Sequence, residues 1–211
     1  MRAAPTFGSR ADAHKRYDER YFERWYRGAR TRVHSPDDVE RKVHLAVAAA
    51  EFMLGREIVS VLDVGAGEGA WQPILRRLRP EARYLGVEPS EYAVRKFGAR
   101  RGIIRGSIDA LGEAGVRGRY DLVVCADVLN YVGSAGLRRG ILQIATHLRG
   151  VAYLELYTSE DELTGDLHAI DLKPPAYYRR LLRAAGLIRC GMHCYASESI
   201  ASRVTAMEGG W

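Results

Sequence analysis

Residues 61–69 read Val-Leu-Asp-Val-Gly-Ala-Gly-Glu-Gly, and this stretch constrains the fold more than any other. An apolar run suited to a buried strand ends at Asp63-Val64, and three glycines follow on alternate positions. Gly65, Gly67 and Gly69 carry no Cβ, so the chain there can turn at positive φ and let a ligand approach the backbone. After the turn, Trp71, Ile74, Leu75 and Leu78 recur at the spacing of one helical face. A strand, a glycine turn and a helix make the opening unit of a parallel α/β sheet. The pattern is G-x-G-x-G with an acid two residues before the first glycine, unlike the G-x-G-x-x-G of dinucleotide binders.

The downstream residues continue the alternation. Pro80 stops the helix, and residues 83–87 form a second strand that delivers Glu88 about 20 residues past the glycines, where a carboxylate can accept ribose hydroxyls. Ser90 is placed to cap a helix running to about residue 100. Further strands are expected near 102–105, at 120–126 and at 151–157, with helices at 134–149 and from Pro174-Pro175 through 185. Residues 187–195 and 200–207 would make a final hairpin. Ahead of the first strand, residues 11–27 suggest an amphipathic helix with Tyr17, Tyr21 and Trp25 along one side. Ser35-Pro36-Asp37-Asp38 is a helix start, followed by a core-facing stripe of Val39, Val43, Ala46, Val47, Ala50 and Met53 that runs to Gly55. The expected organisation is an N-terminal helical extension over 1–57 and one α/β domain over 58–211.

The chain has 211 residues, enough for one domain with a real core, and no apolar run long enough to span a membrane. The N-terminus lacks the apolar stretch of a secretion signal, and its three cysteines cannot all pair, which points to a reduced, cytoplasmic protein. A net charge of +6 raises the question of nucleic acid. The charge is almost all arginine and is scattered, with one cluster, Arg20, Arg24, Arg27, Arg30 and Arg32, interleaved with Tyr21, Phe22, Trp25 and Tyr26. A solvated helix face explains the cluster first, and attraction of an anionic substrate or nucleic acid second.

In its first motif the chain resembles the class I S-adenosylmethionine-dependent methyltransferases, which carry an apolar pair, an acid, an apolar residue and then G-x-G-x-G. The resemblance implies a Rossmann-like α/β fold: a seven-stranded sheet of order 3-2-1-4-5-7-6, strand 7 antiparallel, with helices on both faces. It implies S-adenosyl-L-methionine as cofactor and S-adenosyl-L-homocysteine as product. The cofactor site it implies comprises Gly65, Ala66, Gly67 and Gly69 in the turn, Glu88 and Pro89 at the ribose, and Asp63 toward the methionyl end. Ser107, Ile108 and Asp109 would meet adenine, and Ala126 the methionyl amine through its backbone. Residues 120–132 resemble the F-D-x-V-x-x-x-E-V-L-x-x-V segment of small-molecule methyltransferases, and lack the D-P-P-Y or N-P-P-Y of many nucleic-acid amine methyltransferases. Asn130-Tyr131 stands where quinone-type O-methyltransferases carry Glu-His. A narrower similarity, to nodulation N-methyltransferases, rests on residues 39–44 and 126–131. It implies an amine acceptor and places Arg41 at the methionyl carboxylate.

Methyl transfer from a sulfonium needs chiefly in-line placement, and a base only if the acceptor must lose a proton. Candidate bases are His168, Glu155, Tyr157, His193 and His44, among which the sequence does not choose. Tyr17, Tyr21, Trp25, Asn130, Tyr131, Tyr157 and Tyr177 are candidates for the acceptor pocket, with residues 11–27 and 158–175 closing over it. Cys190, His193 and Cys194 lack a fourth ligand, so no metal is expected. The expected function is transfer of a methyl group to nitrogen or oxygen of a small molecule. Methylation of RNA, or non-catalytic cofactor binding, are the alternatives.

Overall fold

Asp18 starts the first helical turn: its carboxylate accepts the Tyr21 N–H at 3.0 Å. Helix α1 (Glu19–Phe22) runs directly into a π-type turn, Glu23–Arg27, which Gly28 ends. A computed structural model of the chain describes residues 16–209, so the first part of the helix expected over 11–27 lies outside the described residues. Helix α2 (Pro36–Leu54) begins with a reciprocal capping box between Ser35 and Asp38 and closes on Gly55 in the left-handed conformation. Its Val43, Ala46 and Ala50 are fully buried, so α2 is a layer of the core as well as a lead-in to the sheet.

The alternating units follow in order: β1 (Ser60–Val64), α3 (Trp71–Leu78), β2 (Arg83–Glu88), α4 (Glu91–Arg101), β3 (Ile103–Arg105), β4 (Tyr120–Cys125), α5 (Ser134–His147), β5 (Leu148–Leu154), α6 (Pro175–Ala184), β6 (Ile188–Gly191), β7 (Cys194–Ala196) and the short α7 (Ala206–Gly209). The sheet order is β3-β2-β1-β4-β5-β7-β6, and β7 runs antiparallel to both neighbours, as the resemblance implies. Strand residues alternate between two cores. Val61, Leu122, Val124, Val151 and Tyr153 pack with residues of α2 and α3, whereas Leu62, Val123, Cys125, Ala152 and Leu154 pack with α5 and α6. Because both faces are covered, the strands are continuous apolar runs instead of polar–apolar alternations.

Two boundaries differ from expectation. β5 begins at Leu148 and ends at Leu154, three residues earlier than expected at each end. Gly150 explains the early start: a Cβ there would lie 2.2 Å from the Asp121 carbonyl oxygen, so only glycine lets β5 close against β4. The C-terminal hairpin is shorter than expected because Met192 and His193 turn it at φ 48° and 62°. Residues 200–207 do not return as a strand. Ser197 donates its N–H to the Gly150 carbonyl (2.9 Å) and its hydroxyl to that of Arg149 (2.6 Å), and the chain leaves the sheet in a 3-10 segment, Glu198–Arg203. Among the described residues no helix is long and apolar enough to cross a membrane.

Candidate active site

Ligands of open parallel sheets bind beyond the carboxyl ends of the strands, where the order reverses, here between β1 and β4. At the end of β1, Gly65 adopts φ 76° and sits so close to Val128 that a Cβ would lie 2.3 Å from its side chain. Gly67, at φ 56°, donates its N–H to Glu88 Oε2 at 2.8 Å, and Ser90 N–H donates to Glu88 Oε1 at 2.9 Å. These two bonds aim the carboxylate at the turn. Burial raises the Glu88 pKa above the usual carboxylate range, against the pull of both N–H groups. Asp63, 3% exposed, is pushed up to about 7 by burial, with the Tyr84 hydroxyl (2.7 Å) opposing and Glu88 reinforcing the rise.

Two cavities meet above the turn. One, of about 360 Å³, is lined by Glu88, Pro89, Ser107, Ile108, Asp109 and Val128. The other, of about 440 Å³, is lined by Asp63, Ala66, Ala126, Trp71, His34 and Lys42. Tyr21, Tyr26, Gly65, Asp127 and Tyr131 line both. Tyr26 packs on Gly67, its hydroxyl 2.9 Å from where a Cβ on that glycine would stand. A third, outer cavity of about 440 Å³ shares His34, Asp127, Tyr131 and Asp166 and adds Tyr157, Arg30 and Arg32. The segment 158–173 is tied over it, since Tyr131 donates its hydroxyl to the Asp166 carbonyl and Asp171 its N–H to the Asn130 carbonyl, both at 2.7 Å.

The residues expected at the cofactor mostly converge. Asp63, Gly65, Ala66, Glu88, Pro89, Ser107, Ile108, Asp109 and Ala126 line the paired cavities. Asp109 is held by the Ser107 hydroxyl (2.5 Å) and Arg139 (2.7 Å), which lower its pKa. Gly69 serves packing, because a Cβ there would meet Ile103 and Arg101. Arg41 does not face the cleft. Its guanidinium is exposed and pairs with Asp38 at 2.6 Å, while the next residue, Lys42, turns inward, because the buried stripe of α2 begins at Val43.

Of the acceptor candidates, Tyr17, Tyr21, Trp25 and Tyr131 line the cavities over the turn, and Tyr157 the outer one. Asn130 is a brace instead of a binding group: its amide donates to the Tyr157 carbonyl (2.8 Å) and the Tyr178 hydroxyl (3.0 Å), and its oxygen accepts the Tyr157 N–H (3.0 Å). Tyr177 packs against the core under α5 and α6 and lines none of the three cavities. Among the candidate bases, Glu155 is buried and paired with Lys42 at 2.6 Å, with the Tyr157 hydroxyl 3.4 Å away. His44 is exposed beside Glu40, His168 is exposed, and His193 lies in the hairpin turn against the Tyr153 and Tyr157 rings. The sequence reading missed His34, Lys42 and Asp127. Asp127 aligns with the acid of the E-V-L segment, so its position was readable; its left-handed backbone, φ 57°, was not.

The profile of a methyltransferase-domain family matches residues 15–204, and the chain therefore belongs to that family. It is an S-adenosylmethionine-dependent methyltransferase of class I. The fold is shared with the aminopentose methyltransferase of calicheamicin biosynthesis from Micromonospora echinaspora, solved with S-adenosylmethionine bound, at 14% identity and TM-score 0.63 over 89% of this chain and 99% of that one. It is shared also with the magnesium protoporphyrin IX methyltransferase of Synechocystis PCC 6803, solved with S-adenosylhomocysteine, at 18% identity and TM-score 0.59 over 86% and 96%. An O-methyltransferase family protein from Burkholderia thailandensis matches at 16% identity and TM-score 0.52, over 76% of this chain but 56% of its own length. No curated protein sequence matches the chain.

Proposed function

We propose that the chain methylates nitrogen or oxygen of a small-molecule acceptor bound next to the cofactor's methyl group. The observation that carries this reading is the roof. Tyr21, Trp25 and Tyr26 of the N-terminal segment close over the cavity that Asp63 and Ala126 floor, leaving about 440 Å³, the scale of a small-ligand pocket. Glu88, Ser107, Ile108 and Asp109 would hold the adenosine end, and Gly65, Asp63 and Ala126 the methionyl end. The cofactor brings a methyl group on a sulfonium, itself a good leaving group; the protein's part is to hold the acceptor in line and keep water out. Two exposed arginines of the N-terminal cluster are used within the segment: Arg27 ties it to Glu68 of the glycine turn at 3.1 Å, and Arg24 stacks over Trp25 at 4.6 Å. That use supports a lid more than a nucleic-acid surface. The structural relatives from Micromonospora and Synechocystis, named for small-molecule substrates, support the same class. Cys125, Cys190 and Cys194 are not joined in disulfides, which fits a cytoplasmic protein.

The test is transfer of tritiated methyl from S-adenosylmethionine, offered a bacterial small-metabolite extract and, separately, total RNA. Label should enter the small-molecule fraction, and calorimetry should show micromolar binding of S-adenosylhomocysteine. Label confined to RNA would overturn the acceptor class. Binding without any transfer would leave a cofactor-binding module.

A further inference from the structure

His34 belongs to none of the motifs described above, yet it occupies the junction of the acceptor-side cavity and the outer one. Among the described residues it is the one histidine that lines either. Two neighbours flank it. Lys42 Nζ lies 3.4 Å from Nδ1 and 3.3 Å from Nε2, and Nε2 is 3.7 Å from Asp127 Oδ2. The last distance is longer than a direct hydrogen bond, so the ring nitrogen and the carboxylate stand side by side on the cavity wall with donor and acceptor capacity turned to the cavity. Asp127 is aimed there by its left-handed backbone, and it lines all three cavities. Lys42 is itself held by the buried Glu155 carboxylate at 2.6 Å, whose second oxygen is buried without a hydrogen-bond partner among the described residues.

We propose that His34 is the proton acceptor for the methyl acceptor, taking the N–H or O–H proton of a group seated in the cavity that its ring and the Asp127 carboxylate line side by side. The inference rests on the small-molecule methyltransferase reading above. The step balances with the cofactor's methyl alone. The acceptor's lone pair forms the new bond to the methyl carbon as the carbon–sulfur bond breaks, and that electron pair stays on sulfur. The acceptor's proton passes to the His34 ring and leaves through the outer cavity to solvent. Asp127 favours the imidazolium so formed. Lys42 opposes it, and Glu155 offsets Lys42.

The groups facing the ring are Lys42 and Asp38 from α2, Glu155 and Tyr157 beyond β5, Asp127 and Tyr131 beyond β4, and Asp166 from the overlying segment. Arg30 and Arg32 come from its own. Burial first and Lys42 second lower the His34 pKa, against Glu155 and Asp38, so the resting ring is neutral at pH 7 and ready to accept. Among the described residues the other histidines offer no such placement: His168 and His44 are exposed, His193 stands in the hairpin turn, and His147 is turned to the Gly118 carbonyl at 2.8 Å.

The experiment compares wild type, His34→Gln and His168→Gln in the tritiated-methyl assay with the small-metabolite extract, across pH 5 to 9. Wild-type transfer should rise with pH to a plateau reached below pH 7. His34→Gln should lose about a hundredfold or more in rate at pH 7, the usual scale for a missing acid–base group, together with that pH limb. It should keep S-adenosylhomocysteine affinity within twofold, which a merely structural defect would not. His168→Gln should behave as wild type. If wild type transfers label and His34→Gln does so equally, with the same pH profile, the inference fails and the methyltransferase reading stands. If wild type transfers nothing to the extract, both fail together.

Discussion

Strand β4 carries an aspartate at each end, and the two are treated in opposite ways. Asp121, fully buried at the start of the strand, meets Arg56 (2.8 Å), Arg149 (2.7 Å) and the Val59 N–H (2.8 Å). Burial alone would raise its pKa, but Arg56, the Val59 N–H and Arg149 outweigh it and hold the carboxyl at about 2. At the other end, Asp127 sits in a left-handed backbone on the cleft. Beside it on β1, Asp63 is as buried as a core residue, with the Tyr84 hydroxyl opposing a rise to about 7. One rim of the sheet satisfies its carboxylates and gains stability. The opposite rim keeps Asp63 buried with its pKa raised, so a cationic ligand can supply the compensation that its own neighbours do not.

Breaking the satisfied rim should give the largest effect on stability. Asp121→Ala removes one partner from a buried network, and should cost about 3 kcal/mol, or roughly 10 °C in melting temperature for a domain of this size. Its affinity for S-adenosylhomocysteine should stay within a few-fold when measured well below the new midpoint. A comparable loss of affinity would show that the two rims are coupled. Glu88→Ala should invert the pattern: about 1.5–3 kcal/mol of cofactor affinity lost with the melting temperature held or raised, since the removed acid is buried and its pKa elevated. An unchanged dissociation constant would mean that the ribose is held elsewhere.

Acid and base titrations sharpen the contrast, because the two aspartates act with opposite sign. Asp121 has a folded pKa below its unfolded value, so its contribution is present above about pH 4 and is lost as pH falls through about 2. Asp63 has a folded pKa near 7, so between about pH 4 and 7 the folded state holds a proton that the unfolded chain does not. Stability from that site falls as pH rises through this window, by at most about 1.4 kcal/mol per unit. Denaturant melts of Asp63→Asn should lack this fall, and S-adenosylhomocysteine, whose ammonium favours the ionised carboxyl, should release protons on binding near pH 7. Equal pH profiles for wild type and variant would rule out the elevated Asp63. The smallest effect concerns the roof. Amides over residues 19–31 should exchange roughly fivefold more slowly with S-adenosylhomocysteine bound, a change of about 1 kcal/mol in local opening. No change there would make the aromatic segment simple packing.

The sequence by itself determined the unit proposed to bind the cofactor. The glycines after β1, the acid ending β2 and the buried strand β4 are local in the chain, and each is dictated by its own conformation: positive φ, strand-end geometry, a run apolar on both faces. The helix caps at Ser35 and Ser90 were legible for the same reason. The tertiary structure alone decided which polar groups meet across elements. Whether Arg41 or Lys42 faces the cleft depends on the rotation of α2 against the sheet, and one residue of helix turns a side chain by about 100°, from solvent to cavity. Asn130 looked like a pocket residue until Tyr157 and Tyr178, 27 and 48 residues away, claimed its amide. His34 has no neighbours in sequence that signal chemistry; Lys42 and Asp127 reach it from two different elements and Glu155 anchors Lys42 from a third, because the packing of the N-terminal segment over the strand ends brings them together.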